Sequence, residues 1–193
     1  MQLIDHFGFI APLYERFIQP PVKDPILKLI DLTGDGWILD AGGGTGRVAT
    51  LIADEKPKIV VFDESLKMLK QASKKPGLYI LNGQTERLPI MDNFIDQIIM
   101  VDALHHVKNQ QFTVDELWRV LKPGGKLVIE EPDISLFSVK IIALMEKLLL
   151  MRSRFLRPEQ IIRLFRNIKE IQVRLVRNDS NVYIILIKER GGE

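Results

Sequence analysis

A glycine-rich segment, residues 39–47, contains the clearest chemical pattern in the chain. It joins a short apolar run to an amphipathic segment, which predicts a turn between a buried strand and a helix. The pattern consists of an acid followed by glycines, namely Asp40, Gly42, Gly43, Gly44 and Gly46. Glycines let the backbone bend sharply and approach a ligand without obstruction by Cβ atoms. The N–H groups that open the following helix favour a carboxylate or phosphate, so the segment predicts a turn that can hold a ligand.

A second acid narrows the class of ligand. Asp63 ends the next apolar run, at the distance from the glycines where a ribose-binding carboxylate belongs. A carboxylate there can accept hydrogen bonds from both ribose hydroxyls. The dinucleotide version of this turn requires Gly or Ala at its sixth position, which Arg47 occupies here. The two acids and the glycines predict a ligand that contains a nucleoside, and Arg47 argues against a dinucleotide.

Seven apolar runs of strand length position these residues. They comprise residues 37–39, 59–62, 78–81, 95–101, 126–129, 171–176 and 182–187. The first five lack alternation and are typical of strands that are covered on both faces. Helical segments at 47–55, 66–75 and 110–121 lie between them. The order predicts an α/β fold, with a doubly wound, Rossmann-like sheet of about seven strands that is mostly parallel and ends in a C-terminal antiparallel hairpin.

The regions around this sheet are predicted to be helical. Residues 1–33 form an N-terminal helical cap in this interpretation, with prolines at 20, 21 and 25 interrupting it and a short helix at 26–32. Residues 34–190 form the main domain. Within that domain, residues 134–168 are a helical lid or insert, and its long helical stretch is expected to break near Arg157 and Pro158.

Composition limits both the chemistry and the compartment. The absence of cysteine removes disulfides, thiolate metal sites and cysteine nucleophiles, and we expect no metal site. The net charge of +2 selects no class of partner, although basic residues accumulate at 152–177. That stretch reads either as a solvated helix face or as a site for an anionic substrate, a membrane surface or nucleic acid. Without a signal peptide or a segment long enough to span a bilayer, the protein is expected to be cytoplasmic.

Five motifs in order resemble those of a known family. They are LDAGGGTG at 39–46, VVFDES at 60–65, NGQTERLPI at 82–90, DALHHV at 102–107 and LKPGG at 121–125. The chain is similar to the class I S-adenosylmethionine-dependent methyltransferases, and within them to the ubiquinone and menaquinone C-methyltransferase branch with its methyltransferase type 11 pattern. The resemblance covers residues 7–131, with a looser match through the final hairpin. It implies S-adenosyl-L-methionine as the cofactor.

The resemblance also implies a role for each matching residue. Asp63 would bind the ribose diol, Asp40 would lie near the cofactor's ammonium group, and Gln84 and Thr85 would face the adenine edge. The expected cofactor contacts are Asp40, Gly42, Gly43, Gly44, Gly46, Asp63, Glu64, Ser65, Met68, Gln84, Thr85 and Asp102. Gln84 departs from the family, which usually has Asp at that position. An amide oxygen can still accept a hydrogen bond from the adenine amino group, but it brings no charge.

Three residues are candidates for contact with the methyl acceptor. His105 and His106 follow the fourth strand, where the methyl group should point, and His106 is the favoured base or orienting group. Alternatively, the histidine pair caps the strand and packs beneath the cofactor. Tyr14 could close over the methyl group or make an aromatic core contact. Methyl transfer requires alignment of the reactants and exclusion of water, and it requires a base only if the acceptor must lose a proton.

The leading hypothesis is methyl transfer to a small, partly apolar acceptor. An RNA or protein methyltransferase is an alternative, because of the basic stretch. A cofactor-binding regulatory protein without transfer activity is another, because of Gln84. No Asn-Pro-Pro-aromatic segment follows the fourth strand, and no cysteine is present to attack a pyrimidine, so we expect a small-molecule substrate rather than nucleic acid. A homodimer is compatible with this interpretation.

Overall fold

A seven-stranded sheet forms the centre of the chain in a computed structural model that describes residues 25–55, 58–136, 153–178 and 181–190. In chain order its strands are β1 (Ile38–Ala41), β2 (Ile59–Asp63), β3 (Leu78–Asn82), β4 (Ile95–Val101), β5 (Leu121–Pro132), β6 (Ile171–Asn178) and β7 (Asn181–Lys188). Across the sheet they follow the order β3-β2-β1-β4-β5-β7-β6. The predicted fold class and number of strands are confirmed.

The first five strands are parallel to one another, and β7 runs in the opposite direction to its neighbours. β1 pairs in parallel with both β2 and β4, and β4 pairs in parallel with β5. β7 lies between β5 and β6 and is antiparallel to both, as the predicted C-terminal hairpin requires. The direction in which strands are added reverses between β1 and β4. Doubly wound sheets bind their ligands at the carboxyl ends of the strands beside such a reversal.

Four α-helices lie in the described part of the chain: α1 (Arg47–Ile52), α2 (Leu66–Ala72), α3 (Gln110–Val120) and α4 (Pro158–Leu164). The first three begin at the predicted residues. For α2 and α3 the reason is an N-cap, since Ser65 and Asn109 accept hydrogen bonds from N–H groups of the first turn. All three end earlier than predicted, α1 and α2 by three residues and α3 by one. None of the four has the length and apolar content needed to cross a membrane.

The flanking regions depart from the predicted pattern. The helix expected at 26–32 is a single 3₁₀ turn, Pro25–Lys28, whose Ile26 is fully buried against the sheet. Helix α4 begins at Pro158, with Arg157 as its N-cap, so the predicted break falls at the start of a helix. Residues 153–157 are not helical. Most of the predicted cap, including Tyr14, and residues 137–152 of the predicted lid lie outside the described residues.

Strand β5 begins five residues before the predicted run. Leu121 pairs with Ile95 of β4, after which the register shifts before the regular pairing of Lys126 with Gln97. The shift passes through Gly124, at φ +82°, and Gly125, where a Cβ would lie 2.8 Å from the carbonyl oxygen of Lys122. The Lys-Pro-Gly-Gly segment therefore forms an irregularity inside the strand.

Apolar side chains cover both faces of the sheet. On one face, Leu39 and Ile98 belong to the same buried cluster as Leu117 of α3. On the other face, their neighbours Ile38 and Ile99 cluster with Val48 of α1 and with Ile26. Successive strand residues point to opposite faces, so runs without alternation are what a sheet with two covered faces requires.

Candidate functional site

The glycine turn leaves β1 at the reversal of the sheet. Its backbone is held by the neighbouring strand, because the N–H groups of Gly42 and Gly43 both donate to the carbonyl oxygen of Phe62, at 2.8 and 3.1 Å. Gly42, Gly44 and Gly46 all have positive φ, of +72°, +54° and +72°. Residues other than glycine rarely adopt this backbone conformation.

Two of these glycines differ in what surrounds them. A Cβ on Gly42 would lie 2.6 Å from the Cβ of Ala103, just beyond β4, so a side chain there would collide with the fold. Among the residues that the structure describes, a Cβ on Gly44 would have only Asp63 Oδ2 within 4 Å, at 4.0 Å. Gly44 therefore marks the open side of the turn, where a ligand can approach the backbone.

Asp63, at the end of β2, is fixed against the glycine turn. Its Oδ2 accepts a hydrogen bond from the N–H of Gly44 at 2.9 Å, and its Oδ1 accepts one from the N–H of Ser65 at 2.7 Å. An ionised carboxylate is an acceptor with about four lone-pair sites, which is the chemistry that binds a ribose diol. The predicted juxtaposition of Asp63 with the glycines is thus present, in a geometry that suits a diol.

Of the residues that follow Asp63, Ser65 and Met68 are buried and Glu64 is exposed. Ser65 caps α2 by accepting from the N–H of Met68 at 3.4 Å, and both residues are buried. Glu64 is exposed, and one of its oxygens lies 3.3 Å from the ammonium group of Lys108. Ser65 thus supports the Asp63 carboxylate through its N–H and caps α2, whereas Glu64 lies at the surface.

Asp40 carries an unsatisfied buried oxygen. The residue is 1% exposed, and among the described residues its Oδ2 has no hydrogen-bond partner. Burial raises the pKa of this carboxyl to about 7; an N–H of Ala49 opposes the rise and the charge of Asp63 adds to it. A Cβ on Gly43 would lie 2.6 Å from Oδ2, so only glycine leaves room there. An unpaired buried carboxylate oxygen fits a ligand that supplies a cationic N–H donor.

Asp102 and Arg47 lie at the mouth of the turn. Asp102 follows β4 with φ +50°, a conformation that is costly for a residue other than glycine. Its N–H donates to the carbonyl oxygen of Glu130 at 3.0 Å, and its Oδ2 lies 4.0 Å from the guanidinium of Arg47. The sequence predicted Asp102 as a cofactor contact but gave Arg47 no binding role. The sequence offered one signal for such a role, namely that Arg47 is the first residue of α1.

The two residues expected at the adenine edge have different environments. Gln84 is exposed. Thr85 is buried, and its hydroxyl lies 3.0 Å from that of Thr113 in α3, so its side chain is directed towards the helix. Of the two side chains, that of Gln84 is the one accessible to a base.

The 3₁₀ turn Leu104–His106, here called the histidine turn, contains both candidate histidines, and their environments differ. His105 is buried, and its Nδ1 lies 2.6 Å from a carboxylate oxygen of Glu131 at the end of β5. His106 is half-buried, and its Nδ1 lies 3.2 Å from the hydroxyl of Ser153. Burial, and then the neighbouring His105, lower the pKa of His106 to about 3. The imidazole of His106 is therefore neutral at physiological pH and is a weak proton acceptor.

Some residues of the basic stretch pair with acids, and others line a cavity. Arg177 of β6 lies 3.4 Å from a carboxylate oxygen of Asp133 and 3.6 Å from one of Glu159. Arg154 and Arg163 instead line a cavity of about 350 Å³ between the start of α3 and α4. At least part of the excess charge is thus compensated by acids distant in the sequence.

Comparisons with known proteins agree with this geometry. Residues 39–129 match the family model described as Methyltransferase domain. The chain is 36% identical over 139 residues to a ubiquinone/menaquinone biosynthesis C-methyltransferase of Syntrophotalea carbinolica, covering 65% of this chain and 59% of that protein. It is 36% identical over 95 residues to a demethylmenaquinone methyltransferase of Renibacterium salmoninarum, covering 49% and 40%. The chain therefore spans only about half the length of these curated relatives.

A solved structure extends the likeness to the whole fold. The S-adenosylmethionine-dependent methyltransferase of Thermotoga maritima superposes with a TM-score of 0.74 at 22% sequence identity, over 95% of this chain and 98% of that one. At this identity the likeness concerns the fold. The matched domain contains the glycine turn, both acids and the histidine turn, and its family uses S-adenosylmethionine as cofactor. In its matched domain and in its fold, the chain is therefore similar to the class I S-adenosylmethionine-dependent methyltransferases.

Proposed function

We propose that this protein transfers a methyl group from S-adenosylmethionine to a small, partly apolar acceptor of the quinone-precursor type. The observation that carries the proposal is that the glycine turn brings two carboxylates together: Asp40, whose buried oxygen has no hydrogen-bond partner among the described residues, and Asp63, which is fixed by the N–H of Gly44. The acceptor class rests on the names of two relatives, a ubiquinone/menaquinone biosynthesis C-methyltransferase and a demethylmenaquinone methyltransferase.

The chain's own residues divide the task of holding the cofactor. Asp63 accepts the ribose hydroxyls, and Asp40 accepts from the ammonium group of the methionine part. The Gly44 backbone admits that part at close range, and Arg47 supplies positive charge near its carboxylate. When bound, the cofactor supplies an electrophilic methyl group on a positively charged sulfur. The protein's remaining task is to align the acceptor and to exclude water.

The direct test combines binding and turnover. We expect calorimetry to detect S-adenosylhomocysteine binding, and labelled S-adenosylmethionine to transfer its methyl group to a quinone precursor in a membrane-lipid extract. Label that appeared in RNA or protein instead would favour the RNA or protein methyltransferase. Binding without any labelled product would favour a cofactor-binding regulator, and absence of binding would overturn the proposal.

Affinity for S-adenosylhomocysteine should depend on pH through Asp40. With a pKa of about 7, this carboxyl is mostly protonated at pH 6 and mostly ionised at pH 8. The ammonium group of the ligand prefers the ionised form, so the affinity should rise by about tenfold between these values, in proportion to the ionised fraction. Titration calorimetry at several pH values measures this rise.

The Asp40→Asn variant is the control, since it keeps the shape of the side chain without its charge. Its affinity should not vary with pH over this range. Because the folded-state pKa is raised, Asp40 contributes stability to the unliganded protein at low pH, and that contribution is lost as the pH rises through about 7. The melting temperature of the wild type should therefore fall over this window relative to that of Asp40→Asn. Parallel pH profiles of affinity in the two proteins would contradict the prediction.

A further inference from the structure

The Glu131 carboxylate is enclosed at the end of β5, and each of its oxygens meets a donor. Oε1 accepts from the N–H of Leu104 at 2.8 Å, and Oε2 lies 2.6 Å from Nδ1 of His105. The side chains of Glu131 and His105 are only 3% and 4% exposed. A buried ion pair often stabilises a fold no better than an apolar pair of the same size. We therefore ask what Glu131 and His105 hold in place, which is the start of the histidine turn.

The ring of His105 in turn positions that of His106. Phe155 stacks on one side of the His105 ring, with centroids 4.2 Å apart, and the His106 ring lies 3.9 Å away. The carbonyl oxygen of His105 accepts from the N–H of Arg154 at 2.7 Å, and Ser153 contacts His106 Nδ1. Glu131 fixes the first ring, and the first ring fixes the second.

The histidine turn lies directly beside the glycine turn. Ala103, the residue before it, is the neighbour that a Cβ on Gly42 would strike at 2.6 Å. Asp102, one residue earlier, faces Arg47 at the start of α1. His106 therefore lies three residues along the chain from a direct contact with the glycine turn.

We propose that Glu131, acting through His105, is a positioning residue that holds the neutral imidazole of His106 as a hydrogen-bond partner for an acceptor bearing a hydroxyl or carbonyl oxygen. This inference rests on the proposed function and adds to it the kind of oxygen that the acceptor presents. A neutral imidazole has one donor and one acceptor nitrogen, so it can orient such a group without taking its proton. The low pKa of His106 favours this role over that of a base.

The Glu131→Gln variant tests the positioning role. An amide keeps the size of the side chain and can still accept from Leu104, but it removes the charge opposite His105. We expect kcat to fall by about 10- to 100-fold, the cost of misplacing an orienting group by about 1 Å. Binding of S-adenosylhomocysteine should be unchanged.

Glu130→Gln is the matched control, since it makes the same chemical change one residue away. Glu130 is also buried, but its Oε1 accepts from Asn181 and Tyr183 of β7 at 2.6 and 3.1 Å. This variant should keep the wild-type kcat even if its melting temperature falls. Equal losses of kcat in the two variants, or none in Glu131→Gln, would overturn the proposal.

A double-mutant cycle separates positioning from general stability. If Glu131 acts through His106, the variant carrying both Glu131→Gln and His106→Ala should lose no more kcat than His106→Ala alone. Additive losses would contradict the proposal, because they would mean that the two residues act independently.

Imidazole resonances give a readout that does not depend on turnover. The chain has three histidines, so ¹H–¹⁵N imidazole spectra can be assigned by substitution. The His106 resonances should shift in Glu131→Gln and remain in place in Glu130→Gln. If the wild type transferred no methyl group, the proposed function would fail, and these spectra would still decide whether Glu131 positions His106. Unchanged His106 resonances in Glu131→Gln would refute the positioning role.

Discussion

Replacing Gly44 with alanine should weaken the binding of S-adenosylhomocysteine by about 10- to 100-fold, because one extra methyl group forced into a close contact costs about 1–3 kcal/mol. Within the described parts of the chain, the new Cβ would meet no atom closer than Asp63 Oδ2 at 4.0 Å. It would therefore occupy the space into which the methionine part of the cofactor must come. Isothermal titration calorimetry measures the effect directly.

Gly77→Ala provides a control with the same backbone cost. Gly77 also has positive φ, at +74°, and a Cβ there would make ordinary contacts, the nearest with Ala53 Cβ at 3.6 Å. Both variants should lose about 1–2 kcal/mol of folding free energy from the left-handed conformation. Only Gly44→Ala should lose affinity. If both variants bound the ligand equally well, the cofactor would not approach the turn at Gly44.

The strands were predictable because burial on both faces leaves a strong local signal. The bounds of β4 agree with the predicted run at both ends, and those of β2 and β3 differ by one residue. β5 was predicted to begin five residues too late, because the Lys-Pro-Gly-Gly segment reads as a turn. Whether such a segment pairs with its neighbour depends on the register shift against β4, which is a tertiary property.

Helix ends were predicted less well than helix starts. A start is marked by a capping side chain such as Ser65 or Asn109, whose partner lies three residues away. The ends of α1 and α2 have no comparable signal, since the polar residues after Ile52 and Ala72 suit a helix surface as well as a loop.

Some contacts of the site could likewise be predicted from the sequence, and others could not. The approach of Asp63 to the glycine turn follows from topology alone, because adjacent parallel strands bring their carboxyl ends together. The contacts of Glu131 with the histidine turn, and of Arg47 with Asp102, depend on side-chain directions around the positive φ of Asp102. No local pattern encodes them. The sequence favoured His106 over His105 as the acceptor contact, and the structure adds that His105 is the more deeply buried of the two.

Asp63 should be the residue whose loss weakens cofactor binding most. The Asp63→Ala variant removes the acceptor for both ribose hydroxyls, and hydrogen bonds to a charged group contribute about 1.5–3 kcal/mol each. It also releases the N–H groups of Gly44 and Ser65. We expect affinity for S-adenosylhomocysteine to fall by at least about 100-fold, which corresponds to roughly 2.7 kcal/mol.

Two controls separate recognition of the ribose from loss of stability. Asn109→Ala removes the N-cap of α3, which should cost about 1 kcal/mol of folding free energy without touching the site. It should bind S-adenosylhomocysteine like the wild type. An analogue of the ligand that lacks the 2′-hydroxyl should bind the wild type more weakly than the parent ligand does, yet should bind Asp63→Ala as well as the parent ligand. If the missing hydroxyl lowered the affinity equally in both proteins, that hydroxyl would be bound by another residue, and the carboxylate of Asp63 would serve only to hold the glycine turn.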